Sequence, residues 1–290
     1  MDINLDQDLS LKHKPITETF ASNIVETPSA DEISFFDENG FVAGIKILDA
    51  DQIDALRDEL GRLMQPEMRD DPRFYEYHRN ESGRQDSVLF HALGAWRVSE
   101  LFHDLIFHPA IVAAAEKLLR GPVRFWHDQL FVKPAFDGGV VAWHQDYSYW
   151  TRTTPMSHLT CWIGLDDSTV ENGCIHYVPG SHRWPLLPRT DLAGDMEAII
   201  DVLTDEQRDA FTPVPIELSV GHSSFHHPMT VHGSYANRSA RPRRAIVLNF
   251  IRDGVCSDTD EPLLAGVPPT GRGNPLGGRF FPLVSAFGQS

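Results

Sequence analysis

His144 and Asp146 stand two apart in the run Trp143-His144-Gln145-Asp146-Tyr147, and His232 lies far downstream in Val231-His232-Gly233-Ser234. Two imidazoles and one carboxylate can occupy one face of a metal ion. The opposite face is then open to O2 and a co-substrate, the arrangement of non-haem Fe(II) oxygenases. Four arginines follow the second motif: Arg238, Arg241, Arg243 and Arg244. A guanidinium close to such a centre can fork onto the carboxylate of a dicarboxylate co-substrate. The chain holds 14 histidines, however, and a His-x-Asp pair alone reads equally well as a surface histidine beside a turn carboxylate.

The neighbouring residues favour the metal reading. Asp137-Gly138-Gly139 is a strong turn signal, and the apolar Val140-Val141-Ala142-Trp143 after it predicts a strand. His144 and Asp146 then share one side of the strand end and Gln145 points the other way. For the third ligand, His222, His226 and His227 compete with His232. His232 is preferred because Gly233 and Ser234 follow it and because the arginines come about one hairpin later. A strand return of that length lets one arginine on the next strand reach the same cavity; a solvated basic turn accounts for the other three.

The chain as a whole narrows the partners. It has 290 residues, 41% of them hydrophobic, enough for a substantial core as one large domain or two small ones. Its 25 basic and 41 acidic residues leave a net charge of -16, which argues against nucleic acid and against an anionic membrane surface. No apolar run approaches the ~20 residues of a membrane span. The acidic start Met1-Asp2-Ile3-Asn4-Leu5-Asp6 shows no secretory pattern, and the last residues carry no retention signal. Three cysteines (Cys161, Cys174, Cys256) without a CxxC pair suit a reducing, cytoplasmic compartment.

The elements that must position these residues fall into two halves. Residues 1–30 are polar and aperiodic and read as a partly ordered leader. A short helix, a turn and a strand are expected over Asp31–Val42, with Asn39-Gly40 as the turn. Apolar residues at Ile53, Leu56, Leu60, Leu63 and Met64 predict a helix capped by Asp49 or Asp51. Residues 65–95 read as a mobile loop or lid, and Val98–Leu119 as helix interrupted at His108-Pro109. After Gly121-Pro122 come short β-rich runs: Val123–Pro134, Trp143–Trp150, His158–Asp166, Cys174–Val178, Ile216–Leu218, Ser224–His227 and Arg244–Ile251. Such a series predicts an antiparallel sandwich or barrel. Asp191–Phe211 reads as an insertion, and Pro262–Pro282 as an extended wrap. The expected organisation is therefore one domain over 31–290: a helical part (31–120), a double-stranded β-helix core (121–255) and a C-terminal wrap (256–290).

Several blocks together carry a family resemblance. Trp126-His127-Asp128-Gln129-Leu130-Phe131-Val132-Lys133-Pro134, Gly138-Gly139, Trp143-His144-Gln145-Asp146, Glu171-Asn172-Gly173-Cys174, Val178-Pro179-Gly180-Ser181-His182 and His232-Gly233-Ser234 occur in order. They resemble the phytanoyl-CoA dioxygenase family over roughly residues 32 to 285. The resemblance implies a mainly β fold with flanking helices and a double-stranded β-helix (jelly-roll, cupin-like) core. It also implies Fe(II), 2-oxoglutarate as co-substrate, and O2. His144, Asp146 and His232 match the family's iron ligands, Arg243 its 2-oxoglutarate arginine and Ser234 the hydroxyl beside it. Lys133 and Trp162 match positions that line the co-substrate pocket, with Arg241 the fallback if the hairpin register differs.

The stretch after the metal motif departs from the family. Tyr147, Tyr149, Trp150 and Arg152 are candidates for the substrate pocket, although the aromatics read equally well as core. The retained Asp146 matters, since related halogenases have a small residue there; an intact triad points to hydroxylation. The expected reaction is hydroxylation of an unactivated C–H of a small metabolite or natural-product intermediate, with release of succinate and CO2, by a monomer or homodimer. Desaturation, epimerisation or ring closure uses the same cofactors, and an acyl-CoA hydroxylase is the reading suggested by the family name. A zinc hydrolase or a metal-binding module without turnover are the rivals from other classes.

Overall fold

The computed structural model describes residues 7–21, 26–136 and 138–285. Asp137 of the predicted turn, Met1–Asp6 of the leader and the C-terminal Phe287–Ser290 lie outside the described residues. Five α-helices are present among them: α1 (Ala30–Asn39), α2 (Ala50–Leu63), α3 (Glu100–Leu105), α4 (Pro109–Leu119) and α5 (Asp205–Ala210). Ser29 caps α1 and Asp49 caps α2, each with a reciprocal side chain three residues on (Glu32 and Gln52) that satisfies two orphan amides. Gly40 ends α1 in the left-handed region (φ 82°), where a Cβ would also meet His182 and Thr230 at 2.5 Å. The helix break at His108-Pro109 is a new start: Pro109 opens α4 and the His108 ring accepts the Ala110 amide.

The strands in chain order are β1 (Phe41–Lys46), β2 (Glu76–His78), β3 (Phe90–Leu93), β4 (Val123–Lys133), β5 (Val141–His144), β6 (Thr153–Thr154) and β7 (His158–Gly164). They continue as β8 (Ile175–Tyr177), β9 (Val214–Ile216), β10 (His222–His226), β11 (His232–Ser234), β12 (Arg243–Arg252) and β13 (Cys256–Ser257). The larger sheet runs β1-β10-β7-β12-β4-β3-β2, the smaller β5-β11-β8-β9, and every pairing within them is antiparallel. A two-stranded ribbon joins β6 to β13. This is a double-stranded β-helix.

Period-two alternation sorts the long strands. On β4, β7 and β12, Leu130, Val132, Cys161, Ile163, Ile246 and Leu248 face the helical layer, where α4 packs across all three strands. Phe131, Trp162, Ala245 and Val247 face the smaller sheet and pack with Ile175 and Tyr177. Polar side chains on that inner face are therefore trapped between the sheets. This face carries His127, Gln129 and Lys133 from β4, Thr160 from β7, Ser224 and His226 from β10, and Arg243 and Asn249 from β12.

Three expectations need correction. Residues 65–95 are not a detached lid: β2 and β3 extend the larger sheet, with Phe90–Leu93 wholly buried against β4. Their charged turns hid two strands too short for the sequence pattern to register. The run Trp143–Trp150 is a strand only to His144, because a 3-10 turn (Asp146–Tyr149) bends it back through Tyr147 N–H to Pro228 O and Ser148 N–H to Gln145 O. The strand expected at Ile216–Leu218 lies earlier, at Val214–Ile216.

The described part of the leader is docked. Asp8 is buried between Arg97 (2.5 Å) and Arg279 (2.8 Å), and Asp104 accepts the amides of Ile16 and Thr17. The last described residues run along the start of β4, with Phe281 stacked on Trp126 and Pro282 O accepting the Phe125 amide.

Candidate metal centre and co-substrate pocket

His144 ends β5 and His232 begins β11, and the two are direct cross-strand partners, with ring centroids 4.1 Å apart. Asp146 follows in the 3-10 turn, which brings its carboxylate over the pair. Its Oδ1 lies 3.4 Å from His144 Nε2 and 3.7 Å from His232 Nε2. All three side chains are buried, and one atom from each lies within 4.8 Å of the others.

The hydrogen bonds behind each side chain decide which atom is offered. His144 Nδ1 donates to Ala142 O (2.8 Å) and His232 Nδ1 to Thr230 O (2.9 Å), which leaves both Nε2 lone pairs facing inward. Burial, with the rings of His144 and His226 next to it, holds His232 well below the usual histidine range and so in its neutral, ligating form. Burial alone would raise the Asp146 carboxyl. The imidazoles around it, His232 first and then His144 and His226, outweigh that effect and keep it well below the usual carboxylate range. Gln145 points away, as its position predicts, and pins the turn by donating to Met229 O and accepting the Leu187 amide.

A second cluster lies deeper between the sheets. Lys133 and Arg243 are direct cross-strand partners on β4 and β12, and both are buried. Lys133 Nζ donates to Ser234 Oγ (2.7 Å), Ser234 O and Tyr235 O. Arg243 donates to Gly173 O (3.0 Å) and Ser234 Oγ (3.3 Å), and its guanidinium lies 5.5 Å from the centre of the Trp162 ring. Among the described residues, neither cation has a carboxylate within ion-pair distance, and Arg243 Nε is buried without any partner. Burial and the adjacent Arg243 charge push Lys133 well below its ordinary value, and burial lowers Arg243 to about 10. Two uncompensated buried cations and an orphan donor are costly unless an anion fills the gap. The approach depends on Gly173 (φ 80°), where a Cβ would lie 2.3 Å from Tyr235 O.

The two clusters open into one another. A cavity lined by Phe131, Val141, Trp162, Ile175 and Val247 joins His144, Asp146 and His232 to Ser234 and Arg243. A wider cavity of about 360 Å3 begins at His144 and Asp146 and leads outward past Gln129, Tyr149, Trp150, Arg152 and Arg189. Thus Tyr149, Trp150 and Arg152 reach the cavity wall. Tyr147 does not: its hydroxyl is bound to Thr153 O. Trp150 lines the cavity and also stacks on His158.

The other sequence candidates separate cleanly. Arg244 points to the outer face and pairs with Asp166 (2.7 Å), while Arg238 and Arg241 are exposed. Arg243 reaches the cavity from across the sandwich, since β11 belongs to the smaller sheet and β12 to the larger. His222 and His227 stay outside the cluster, but His226 sits against Asp146, with Nε2 3.0 Å from Oδ2. Sequence reasoning missed Thr160, which also donates to that oxygen (2.6 Å), and the cavity residues His91 and Glu81. Thr160 had one visible signal, a lone hydroxyl in the otherwise apolar run Leu159–Ile163.

The phytanoyl-CoA dioxygenase (PhyH) family model matches residues 36–245. The chain belongs to the phytanoyl-CoA dioxygenase family. A phytanoyl-CoA dioxygenase of Arabidopsis thaliana is 33% identical over 159 residues, covering 54% of each chain. The L-proline trans-4-hydroxylase of Streptomyces griseoviridis is 27% identical over 197 residues, covering 58% of this chain and 72% of that one. The chain spans about half the length of the first two curated relatives it matches. Among solved structures, the epimerase SnoN in complex with Fe3+, alpha ketoglutarate and nogalamycin RO superposes with a TM-score of 0.72. The two are 26% identical, and the match covers 88% of this chain and 98% of SnoN. Within this family member, no helix among the described residues is long and apolar enough to cross a membrane.

Proposed function

We propose that this family member is an Fe(II)- and 2-oxoglutarate-dependent oxygenase that hydroxylates a C–H bond of a small metabolite or natural-product intermediate. One observation carries the reading: three metal-type donor atoms converge beside two buried cations that lack a counter-charge. The donor set fits the metal, because both imidazoles have their second nitrogen satisfied and the carboxylate is ionised. The cation pair fits the far carboxylate of 2-oxoglutarate, which would accept from the orphan Arg243 Nε, with the Lys133 charge behind it holding Ser234 in place.

When bound, Fe(II) supplies the redox chemistry in which substrate, 2-oxoglutarate and O2 become hydroxylated product, succinate and CO2. The chain's own residues do the rest. His144 Nε2, His232 Nε2 and Asp146 Oδ1 hold the metal from the smaller sheet. Arg243, Lys133 and Ser234 orient the co-substrate, with the Trp162 ring against the guanidinium. Phe131, Val141, Ile175 and Val247 exclude water from the path between them. Tyr149, Trp150 and Arg152 form the wall that a substrate would meet, and a cavity of about 360 Å3 suits a small molecule. Free, buried Cys161 and Cys174 suit a cytoplasmic enzyme.

Succinate release on adding Fe(II), 2-oxoglutarate and O2 tests this reading against a zinc hydrolase or a binding module, neither of which forms succinate. The likeness to SnoN favours epimerisation as the second reading. Labelled O2 separates the two, since hydroxylation puts one labelled atom into the product and epimerisation puts none.

A further inference from the structure

His226 has its polar edge in the metal centre but is placed so that it cannot be a ligand. Its Nε2 faces Asp146 Oδ2 at 3.0 Å and its Nδ1 faces the Tyr177 hydroxyl at 2.9 Å, so both ring nitrogens are committed. An ionised carboxylate only accepts, which puts the proton on Nε2. Nδ1 is held by the Tyr177 hydroxyl, whose oxygen lies 2.8 Å from Ser224 Oγ. Every member of this chain is buried, and burial keeps the phenol proton on Tyr177. Tyr177 is itself fixed by stacking on Phe41, with ring centres 4.6 Å apart.

The same oxygen has a second donor. Thr160 Oγ1 lies 2.6 Å from Asp146 Oδ2, with Asn249 behind it at 3.0 Å. Thr160 and His226 are register partners on β7 and β10, so the larger sheet presents both donors side by side. Oδ2 is therefore held from behind, and Oδ1 faces the two imidazoles. A metal held by two imidazoles and one carboxylate oxygen keeps three positions of an octahedron. A carboxylate free to rotate could offer both oxygens and occupy one of them.

We propose that His226, held by Tyr177 and Ser224, is a positioning residue: with Thr160 it restrains Asp146 to a single metal-binding oxygen and so keeps a coordination position free. This rests on the metal reading above.

The test is titration of the metal-free full chain with Co(II), followed by calorimetry and by the visible ligand-field spectrum, which reports coordination number. His226→Phe keeps a ring but removes the donor. It should weaken Co(II) binding roughly 10-fold or more and change the spectrum. His226→Gln, which retains an N–H, should recover most of the affinity and the parent spectrum, and Tyr177→Phe should show part of the loss. Parent-like affinity and spectrum in His226→Phe would overturn the proposal, as would a His226→Gln variant as impaired as His226→Phe. If His226→Phe fails to fold, the Tyr177→Phe and His226→Gln pair decides: a loss only in the former supports the proposal, and no loss in the former, or an equal loss in both, overturns it. A parent chain that binds no Co(II) would instead remove the metal reading itself.

Discussion

Replacing Arg243 with methionine should leave the empty protein about as stable as the parent and disable co-substrate binding. Arg243 is buried, its Nε is unpartnered, and burial brings its pKa from 12.5 down to about 10, a penalty on the charged form of roughly 3 kcal/mol. Methionine fills most of the same volume without the charge. It gives up the hydrogen bonds to Gly173 O and Ser234 Oγ, which come from a charged donor and are worth about 1.5 kcal/mol or more each. The two terms cancel to within about 1 kcal/mol, so Tm should stay within roughly 2–4 °C of the parent. Removing Arg243 also relieves its neighbour Lys133, which offsets part of the lost hydrogen bonding. Against this, 2-oxoglutarate loses a charge-assisted contact of about 1.5–3 kcal/mol, a roughly 10- to 100-fold weaker Kd. Thermal melts of metal-loaded parent and variant, with and without 2-oxoglutarate, measure both effects. A variant that melts several degrees lower, and is still raised by 2-oxoglutarate as far as the parent, would rule out this role for Arg243.

Further outcomes follow from the same geometry. Asp146→Ala or His144→Ala should abolish substrate-coupled turnover and Co(II) binding alike; undiminished metal affinity in calorimetry would move the ligands elsewhere. Gly173→Ala forces a Cβ to 2.3 Å from Tyr235 O at φ 80°, so it should cost at least about 2 kcal/mol in denaturant unfolding and weaken 2-oxoglutarate binding. Asp8→Ala leaves Arg97 buried and unpaired and should cost about 3–5 kcal/mol in denaturant unfolding. The hydrogen bonds from Arg97 and Ser10 outweigh burial and depress the Asp8 pKa, so its contribution is full above the unfolded value and is lost as pH falls through the folded one. The parent–variant gap in Tm should therefore narrow as pH falls below about 4, and a gap independent of pH would count against the Asp8–Arg97 ion pair.

The local parts of this site could be read from the chain, and the non-local parts could not. The spacing of His144 and Asp146 encodes their shared side, and the capping residues and apolar spacing of α1 and α2 announce those helices directly. The candidates for the third ligand were visible, but spacing gives His226 and His232 equal access to a strand. What separates them is sheet membership: β10 joins the larger sheet and β11 the smaller, a consequence of pairings with β7 and β5 far away in sequence. The same holds for Arg243. Its strand follows β11 in the chain but faces it across the sandwich, which is why one arginine of four enters the cavity and Arg244 beside it meets Asp166 outside. Strands β2 and β3 were hidden because a three- and a four-residue strand carry too little alternation to outweigh the charged turns around them.

On the proposed reading, the His144, Asp146 and His232 cluster and the Lys133 and Arg243 pair are two halves of one iron and 2-oxoglutarate site. The most direct test is the visible charge-transfer absorption that forms when 2-oxoglutarate chelates protein-bound Fe(II), recorded without oxygen. The band should appear only when both are added, disappear in His144→Ala, and need far more 2-oxoglutarate in Arg243→Met. No band in the parent, or a band unchanged in both variants, would contradict the account.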